Sequence, residues 1–340
     1  MIVPRRWLVA LGLPILGALT LVMFGLHNGV ASAASSWPSN QVTLIIPTSP
    51  GGSQDSIDGP FLPEFEKALG TNIKVEYRPG AGFAVGLTLA KQAAPDCNTL
   101  VGIVTPQMLF SYLSQKNVSY TYSDFRALGG LAVGPTIFIV QKNAQWKTMK
   151  QFIAYAKAHP GQVKISVSQV TSNYYASLVQ LEAATGAKFD IVPYNGGGPA
   201  RQALLDGDVQ ASENVVFSQA SIKSQTRVLA VEWPTNKWPG LIGNVPTFNQ
   251  ALGISLPTDE ADTTIGVPAG CATKYPARFK QLEAAFAKAR GSDAYRQQLA
   301  KTGATGQLQA TTGAQFDAAV QKLIPQLKQL VAKYPALQPK

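Results

Sequence analysis

The first residues that could do chemistry lie in a loop that reads Pro-Thr-Ser-Pro-Gly-Gly-Ser-Gln-Asp-Ser, residues 47–56, directly after strand-forming residues 42–46. A glycine-rich turn between a strand and a helix leaves backbone N–H groups free at the helix start, where the helix dipole favours an anion. Glycine has no Cβ, so a ligand can approach this backbone closely. The loop predicts a carboxylate site, although it also fits an ordinary strand-to-helix turn. Its candidate binding residues are Pro50, Gly51, Gly52, Ser53, Gln54 and Asp55.

Two further loops follow predicted strands in the second half of the chain. One is rich in hydroxyl and amide side chains, and the other contains three consecutive glycines. Three donor-rich loops fit a cleft with convergent hydrogen-bond donors better than three unrelated turns. The candidate residues in these two loops are Ser168, Thr171, Ser172, Asn173, Tyr174, Gly196, Gly197 and Gly198.

Covalent catalysis lacks the residues that it needs. Beyond the N-terminal segment the sequence holds a single histidine, His159, in a His-Pro-Gly sequence typical of a helix end. A serine or cysteine nucleophile needs a histidine base, and zinc needs histidines or clustered cysteines. A phosphate loop needs a lysine where Gly52 is followed by Ser53. The sequence predicts a binding protein that is not an enzyme and uses no metal or cofactor, with an enzyme as the weaker alternative.

The elements that position these loops alternate between strand and helix patterns, which is typical of βα units and parallel sheets. One series ends near residue 137 and a second ends near residue 260. Only one strand pattern follows in the C-terminal segment after residue 260. A single strand is too few for a separate sheet, so we expect this segment to return to the first series. The sequence predicts an α/β fold of two lobes, 37–137 plus 261–340 and 138–260, with a ligand cleft between them.

The N-terminal segment has the layout of a secretory signal peptide. Arg5 and Arg6 precede an apolar run over residues 7–26, and Ala-Ser-Ala follows at 31–33. We therefore expect cleavage after Ala33 and a periplasmic mature protein. An uncleaved membrane anchor is the alternative, because the apolar run is near the length that spans a bilayer.

The net charge indicates the kind of partner, and the cysteine content bears on disulfide formation. The formal net charge is +10, but lysines and arginines are scattered without clusters. This distribution favours anionic small molecules over nucleic acid as partners. Cys97 and Cys271 could pair in an oxidising compartment, and the sequence leaves that pairing open.

Several ordered motifs resemble the Bug family, the TctC-like solute receptors of tripartite tricarboxylate transporters. Residues 47–55 are similar to the family's Pro-Phe-x-Pro-Gly-Gly-Ser-x-Asp, and residues 76–82 resemble Glu-Asn-Arg-Pro-Gly-Ala-Gly. Residues 192–200 resemble Val-Pro-Tyr-x-Gly-x-x-Pro-Ala, and residues 204–209 resemble Leu-Leu-x-Gly-x-Val. The similarity spans about residues 37–335.

The resemblance implies a periplasmic receptor with a two-lobe fold, like that of the type II periplasmic binding proteins, which closes on an organic carboxylate. Such a receptor delivers its ligand to permease subunits in the membrane, and we expect it to be a monomer. The family's first binding loop is matched here by Gly51, Gly52, Ser53 and Asp55, and we expect Asp55 to cap its own helix. The alternative function is a periplasmic ligand sensor that acts on a membrane signalling protein.

The second-lobe binding loop departs from the family pattern. Residues 168–173 lack the family's glycines, and Tyr174 and Tyr175 stand where histidine is common. We therefore expect the far end of the ligand to be bound by different side chains, with Tyr174, Tyr175 and Asn214 as candidates.

The helices next to the binding loops carry two further departures. Pro60 and Pro63 fall inside the first helix, where a proline costs about 3 kcal/mol, and this predicts a helix break near Pro60. Arg201 follows the glycine-rich second-lobe loop. It is interpreted as a solvated arginine on a helix face, with binding of a second carboxylate as the alternative.

Overall fold

The computed structural model describes residues 37–38, 41–301 and 305–339, without the side chains of Ser53 and Phe217. The predicted signal peptide and its cleavage site lie outside the described residues. Trp37–Lys340 form a single unit by their internal contacts. No helix in the described part of the chain is long and apolar enough to cross a membrane.

The strands of the described residues join in one mixed sheet. They are β1 (Gln41–Ile46), β2 (Asn72–Tyr77), β3 (Thr99–Thr105), β4 (Phe125–Ala127), β5 (Ala132–Gln141), β6 (Lys164–Val167), β7 (Asp190–Pro193), β8 (Ala211–Val215), β9 (Thr226–Glu232) and β10 (Glu260–Pro268). The order across the sheet is β2-β1-β3-β10-β5-β8-β6-β7, with β4 paired to β10 and β9 paired to β5.

Parallel pairing is confined to the two ends of this sheet. There β1 pairs with β2 and β3, and β6 pairs with β7 and β8. In the centre, β10 and β5 pair antiparallel with all their neighbours. The prediction of parallel sheets therefore holds only at the ends, because the tail of the chain returns through the middle as β10.

Strand β5 belongs to both halves of the sheet. Its residues 132–135 lie opposite residues 260–263 of β10, and its residues 136–140 lie opposite β8. The chain thus passes between the two groups of strands at β5 and again just before β10. The lobe boundaries near residues 137 and 260 remain a prediction.

The helices cover the faces of the sheet. They are α1 (Ser53–Leu69), α2 (Ala84–Gln92), α3 (Gln107–Leu113), α4 (Met149–Ala158), α5 (Asn173–Thr185), α6 (Gly197–Asp206), α7 (Gln219–Ile222), α8 (Pro239–Ile242), α9 (Phe248–Leu252), α10 (Ala269–Lys274), α11 (Pro276–Arg290), α12 (Asp293–Lys301) and α13 (Gly313–Lys333). Helix α4 ends at His159, whose Nδ1 lies 3.0 Å from the carbonyl oxygen of Tyr155, so the predicted C-terminal cap is confirmed.

The predicted break in the first helix is wrong, because α1 runs unbroken with Pro60 and Pro63 inside it. A residue before proline is normally pushed out of the helical region by contacts with its Cβ. Gly59 precedes Pro60 and has no Cβ, which relaxes this restriction. Burial of Phe61 and Phe65 adds packing energy that offsets the missing backbone hydrogen bonds.

The packing of α1 is an aromatic cluster. The ring of Phe61 lies 4.9 Å from that of Phe286 in α11 and 5.4 Å from that of Tyr295 in α12. The ring of Phe65 lies edge-on to Phe286 at 5.9 Å. Edge-to-face pairs of this kind contribute about 0.5–1.5 kcal/mol each beyond their burial. The cluster fixes α1 against the helices of the tail.

Cys97 and Cys271 form a disulfide with a Cα–Cα distance of 5.0 Å, which answers the question that the sequence left open. The bond joins the segment before β3 to α10 across 174 residues of sequence. It therefore ties the tail of the chain to the first group of strands.

Candidate ligand-binding site

The two glycine-rich loops meet backbone to backbone. The N–H of Ser49 donates to the carbonyl oxygen of Asn195 at 3.0 Å. A Cβ added to Gly198 would lie 2.8 Å from the carbonyl oxygen of Pro50 and 2.9 Å from the carbonyl carbon of Gly51. Such distances are too short for a real side chain, so this contact requires glycine at position 198. Two loops about 150 residues apart in sequence therefore meet at one place.

The starts of α1 and α6 converge at this contact. Gly52 and Gly196 are the N-caps of the two helices, and neither helix start has a side-chain cap. A Cβ built on Gly52 would lie 3.7 Å from the backbone nitrogens of both Gly197 and Gly198. Free N–H groups at a helix start carry partial positive charge. The contact therefore concentrates donors and positive potential, which suits an anion.

Arg201 extends this positive region. Its Nη2 donates to the carbonyl oxygen of Gly51 at 2.7 Å, so the side chain spans from α6 to the first loop. The interpretation as a solvated arginine is therefore wrong, because Nη2 is bonded to the first loop and burial lowers the pKa of the guanidinium. Arg78, in contrast, pairs with Glu76 at 2.6 Å.

Side chains of the first loop fix its shape. An oxygen of Asp55 accepts the N–H of Gly51 at 2.5 Å, so it stabilises the turn before α1 instead of capping the helix itself. Burial raises the pKa of Asp55, and the hydrogen bond from Gly51 opposes the shift. Gln54 is buried against Gly102 of β3, where any Cβ would collide with its amide. The side chain of Ser53 lies outside the described residues, and Pro50 is exposed.

Asp58 is a buried carboxyl behind this loop, and it is not among the residues predicted from the sequence. Burial raises its pKa well above the usual range, nearby Asp55 raises it further, and Gln54 opposes the shift. The helical spacing of Phe61 and Phe65 could have revealed that position 58 lies on the buried face of α1.

The loop at residues 168–173 contacts the glycine-rich loop at 195–198 and the turn at residues 80–82. The carbonyl oxygen of Ser168 accepts the N–H of Gly196 at 2.9 Å. Thr171 donates from its hydroxyl to the carbonyl oxygen of Gly82 at 3.3 Å. Thr171 is buried and lies against the turn before α2, which belongs to the first group of strands. This loop therefore forms a second contact across the molecule.

Other predicted residues of that loop bond to the protein itself. Ser172 caps α5 by accepting the N–H of Tyr175 at 3.1 Å. The amide nitrogen of Asn173 donates to an oxygen of Asp259 at 2.6 Å. Both predicted residues are almost fully buried. Their role in ligand binding stays a prediction, whereas their structural roles are visible.

Tyr174 and Asn214 lie deeper in the second half of the molecule. Tyr174 is buried, and burial raises the pKa of its hydroxyl well above the usual range. Asn214 on β8 donates to the hydroxyl of Ser212 at 2.8 Å and is also buried. Their predicted contact with the far end of a ligand is not tested by this placement.

A cluster of buried acids lies where the central strands meet, and no motif in the sequence predicts it. The hydroxyl of Ser177 donates to Glu232 at 2.7 Å and lies 3.3 Å from an oxygen of Glu213. Asp259 accepts from the hydroxyl of Thr136 at 2.7 Å, besides its bond from α5. These acids come from β8, β9 and the segment before β10, so only the sheet topology brings them together.

Burial raises the pKa of every acid in this region. It raises the pKa of Asp259 and of Asp262 to about 6, and the pKa of Glu260 to about 8. The pKa values of Glu213 and Glu232 rise well above their usual range. A cavity of about 340 Å³ borders four of these acids. Within the described ranges, no group of three or more acids, histidines or cysteines is placed to hold a metal ion.

The structure has two α/β groups of strands that are joined by two crossings, with donor-rich loops between them. This is the architecture of two-lobe solute-binding receptors. The model of the tripartite tricarboxylate transporter family receptor, TctC, matches residues 63–333. The chain belongs to this family, and the resemblance found in its sequence motifs is confirmed. The family is one of solute-binding receptors.

Known proteins are similar to this chain in sequence or in fold. A UPF0065 protein from the gbd 5' region of Cupriavidus necator is 28% identical over 275 residues, which are 79% of this chain and 80% of that one. The periplasmic binding protein BugD superposes with a TM-score of 0.79 at 19% identity, over 89% of this chain and 100% of that one. MatC from Rhodopseudomonas palustris with bound malate superposes with a TM-score of 0.77 at 23% identity, over 87% of this chain and 100% of that one. The predicted two-lobe α/β fold is confirmed.

Proposed function

We propose that this protein is a periplasmic receptor that captures an organic carboxylate between loops 47–52 and 195–198. It then delivers the ligand to a membrane permease of the tripartite tricarboxylate type. The observation that carries the proposal is the convergence of two helix starts without side-chain caps at the contact of these loops. Family membership and the signal-peptide layout of residues 1–33 support the exported location.

The binding step requires donors and motion but no covalent chemistry. A carboxylate accepts several N–H bonds at once, and each charge-assisted bond contributes about 1.5–3 kcal/mol. With the lobes apart, the ligand reaches the N–H groups of the first loop. Closing brings the N–H groups of Gly197 and Gly198 over it from the other side, by rotation about the two crossings of the sheet.

A carboxylate ligand also agrees with a solved relative. MatC, which shares this fold, was solved with malate, a dicarboxylate. The positive ends of α1 and α6 supply charge complementarity for such an anion. The acids of the central cluster lie elsewhere, around a separate cavity.

A ligand screen on the purified mature protein tests the proposal. Melting temperature and tryptophan fluorescence are recorded with monocarboxylates, dicarboxylates, tricarboxylates and amino acids. We expect at least one carboxylate to raise the melting temperature, because ligand that binds only the folded state stabilises it by about 2.7 kcal/mol at 100 times its Kd. Isothermal titration calorimetry then gives the affinity. If no carboxylate changes either signal, the proposed function is wrong.

A further inference from the structure

Two neighbouring cavities of about 340 and 280 Å³ share acidic residues near the start of β10. Glu260 and Asp262 line both cavities, and Glu232 and Asp259 line the larger one. These four residues are called the acidic wall below. The larger cavity is of the size that small-molecule sites occupy in proteins.

The described part of the chain provides no cation for the acidic wall. Its ion pairs use the carboxylates of Glu76, Asp124 and Glu182, and none uses an acid of the wall. Among the described residues that line the two cavities, the one basic side chain is Lys322, which is exposed and forms no ion pair. Burial and the neighbouring acids raise the pKa of Glu260 to about 8, and no basic group opposes this shift.

The same cavities are lined by buried oxygens that lack hydrogen-bond partners. Asn173 lines the larger cavity and Thr105 the smaller one, and each side chain is about 99% buried. Neither Oδ1 of Asn173 nor Oγ1 of Thr105 has a partner among the described residues. The carboxyl group of Glu260 accepts no hydrogen bond from them either. Buried polar atoms are normally paired, so these oxygens indicate a donor that comes from outside the chain.

We propose that the two cavities form a binding site for a small organic cation, a primary ammonium on a short alkyl chain. An ammonium carries three N–H donors and one positive charge. It therefore supplies both hydrogen bonds for the unpaired oxygens and charge compensation for Glu260 and Asp262. The remaining lining includes the apolar side chains of Phe110, Leu323 and Leu327, which suit an alkyl chain.

A bare metal ion fits this lining less well. Within the described ranges, no group of three or more acids, histidines or cysteines is placed to hold a metal ion. An ammonium needs no fixed coordination shell, because each of its N–H groups bonds to one oxygen at about 2.7–3.2 Å. The apolar part of the lining would also contribute nothing to a metal ion.

This site is distinct from the proposed carboxylate site. None of the residues 47–52 or 195–198 lines either cavity. The inference therefore goes beyond the proposed function and does not depend on it. In the competing interpretation, the acidic wall only braces the crossing of the chain, and the cavities accept apolar molecules whatever their charge.

The test compares a cation with a neutral molecule of the same shape. n-Pentylammonium chloride and 1-pentanol are titrated calorimetrically into the purified mature protein at pH 7.5. We expect a Kd of about 1 mM or lower for pentylammonium, and at least about tenfold weaker binding of 1-pentanol, since hydrogen bonds between charged groups are the stronger ones. This comparison uses the wild type alone, so it holds even if a variant fails to fold.

Two variants locate the site on the acidic wall. Glu260→Gln and Asp262→Asn keep the size of each side chain and remove its charge. We expect each to weaken pentylammonium about tenfold and to change the affinity for 1-pentanol by less than about threefold. The matched control is Asp190→Asn, because Asp190 on β7 is exposed and lines neither cavity. This control should bind pentylammonium like the wild type.

Every other result overturns the inference. A wild type that binds no pentylammonium, or binds 1-pentanol equally well, would show that the acidic wall recognises no cation. Unchanged pentylammonium affinity in both wall variants would place the binding elsewhere. Titrations with calcium and magnesium chloride complete the test, since binding of these ions without binding of pentylammonium would identify a metal site instead. The carboxylate screen is a separate measurement, so each proposal can fail while the other stands.

Discussion

At Gly198 the backbone of α6 lies against the carbonyl groups of Pro50 and Gly51, closer than any side chain would permit. Gly198→Ala should therefore prevent full closure of the loops. Since misfit contacts cost about 1–3 kcal/mol, we expect the affinity for the carboxylate ligand to fall about tenfold or more. Calorimetric titration measures this loss.

The same substitution should also lower the unfolding free energy by up to about 1–3 kcal/mol, because the loops already touch at position 198 in the structure. The control is Gly240→Ala, because a Cβ on Gly240 meets no atom within 4 Å. We expect the control to bind normally. Normal ligand affinity in Gly198→Ala would contradict the role given to the contact of the loops.

At the residue scale, the glycine-rich loops after predicted strands indicated that Gly51 and Gly52 converge with the loop at 195–198. Their spacing signals a close backbone approach, and this signal is local in sequence. The bond of Arg201 to Gly51 could not be predicted in the same way, because its acceptor precedes it by 150 residues. A single arginine on a helix carries no pattern that names its partner.

At the scale of elements, α1 is where local propensity and packing disagree. Pro60 removes a backbone N–H from the helix interior, yet the helix continues because its aromatic face is buried against α11 and α12. We expect Pro60→Ala to raise the free energy of unfolding by about 1 kcal/mol. A proline in a helix interior costs roughly 3 kcal/mol. Replacing it with alanine also gives the unfolded chain more conformational entropy, which cancels part of that gain. Urea unfolding followed by circular dichroism measures the change.

Pro239→Ala provides the comparison for that prediction. Pro239 lies at the first position of α8, where the missing N–H would have no intrahelical partner in any case. We expect no stabilisation from this substitution. If Pro60→Ala destabilised the protein as much as or more than Pro239→Ala, the explanation given for α1 would be wrong.

The elements with strong periodicity could be predicted, and those defined by distant pairing could not. Strand β1 and helix α4 follow from runs of apolar residues at the right spacing. Strand β4 has three residues and exists because it pairs with β10, more than 130 residues later. The cluster of buried acids depends in the same way on the order of strands in the sheet.

At the scale of the whole molecule, the buried acids lie where the two groups of strands join. Asp259 accepts from Thr136 at the middle of β5 and from Asn173 at the start of α5, next to the loop at 168–173. Asp262 on β10 accepts from Gln309 at 2.6 Å. The carboxyl group of Asp259 therefore bonds both to β5, where the chain crosses between the two groups of strands, and to α5, which follows the loop at 168–173.

These acids should make stability depend on pH. Burial raises the folded-state pKa of Asp259 and Asp262 to about 6 and of Glu260 to about 8, above their unfolded values. The folded state therefore binds more protons, and stability is lost as pH rises through the folded pKa values. We expect the unfolding free energy to fall by a few kcal/mol between about pH 5 and pH 8.5, since each titrating group contributes up to about 1.4 kcal/mol per pH unit. Urea unfolding across this range measures the slope. Asp262→Asn should flatten the slope while the exposed control Asp190→Asn should not, and stability that rises with pH would contradict the prediction.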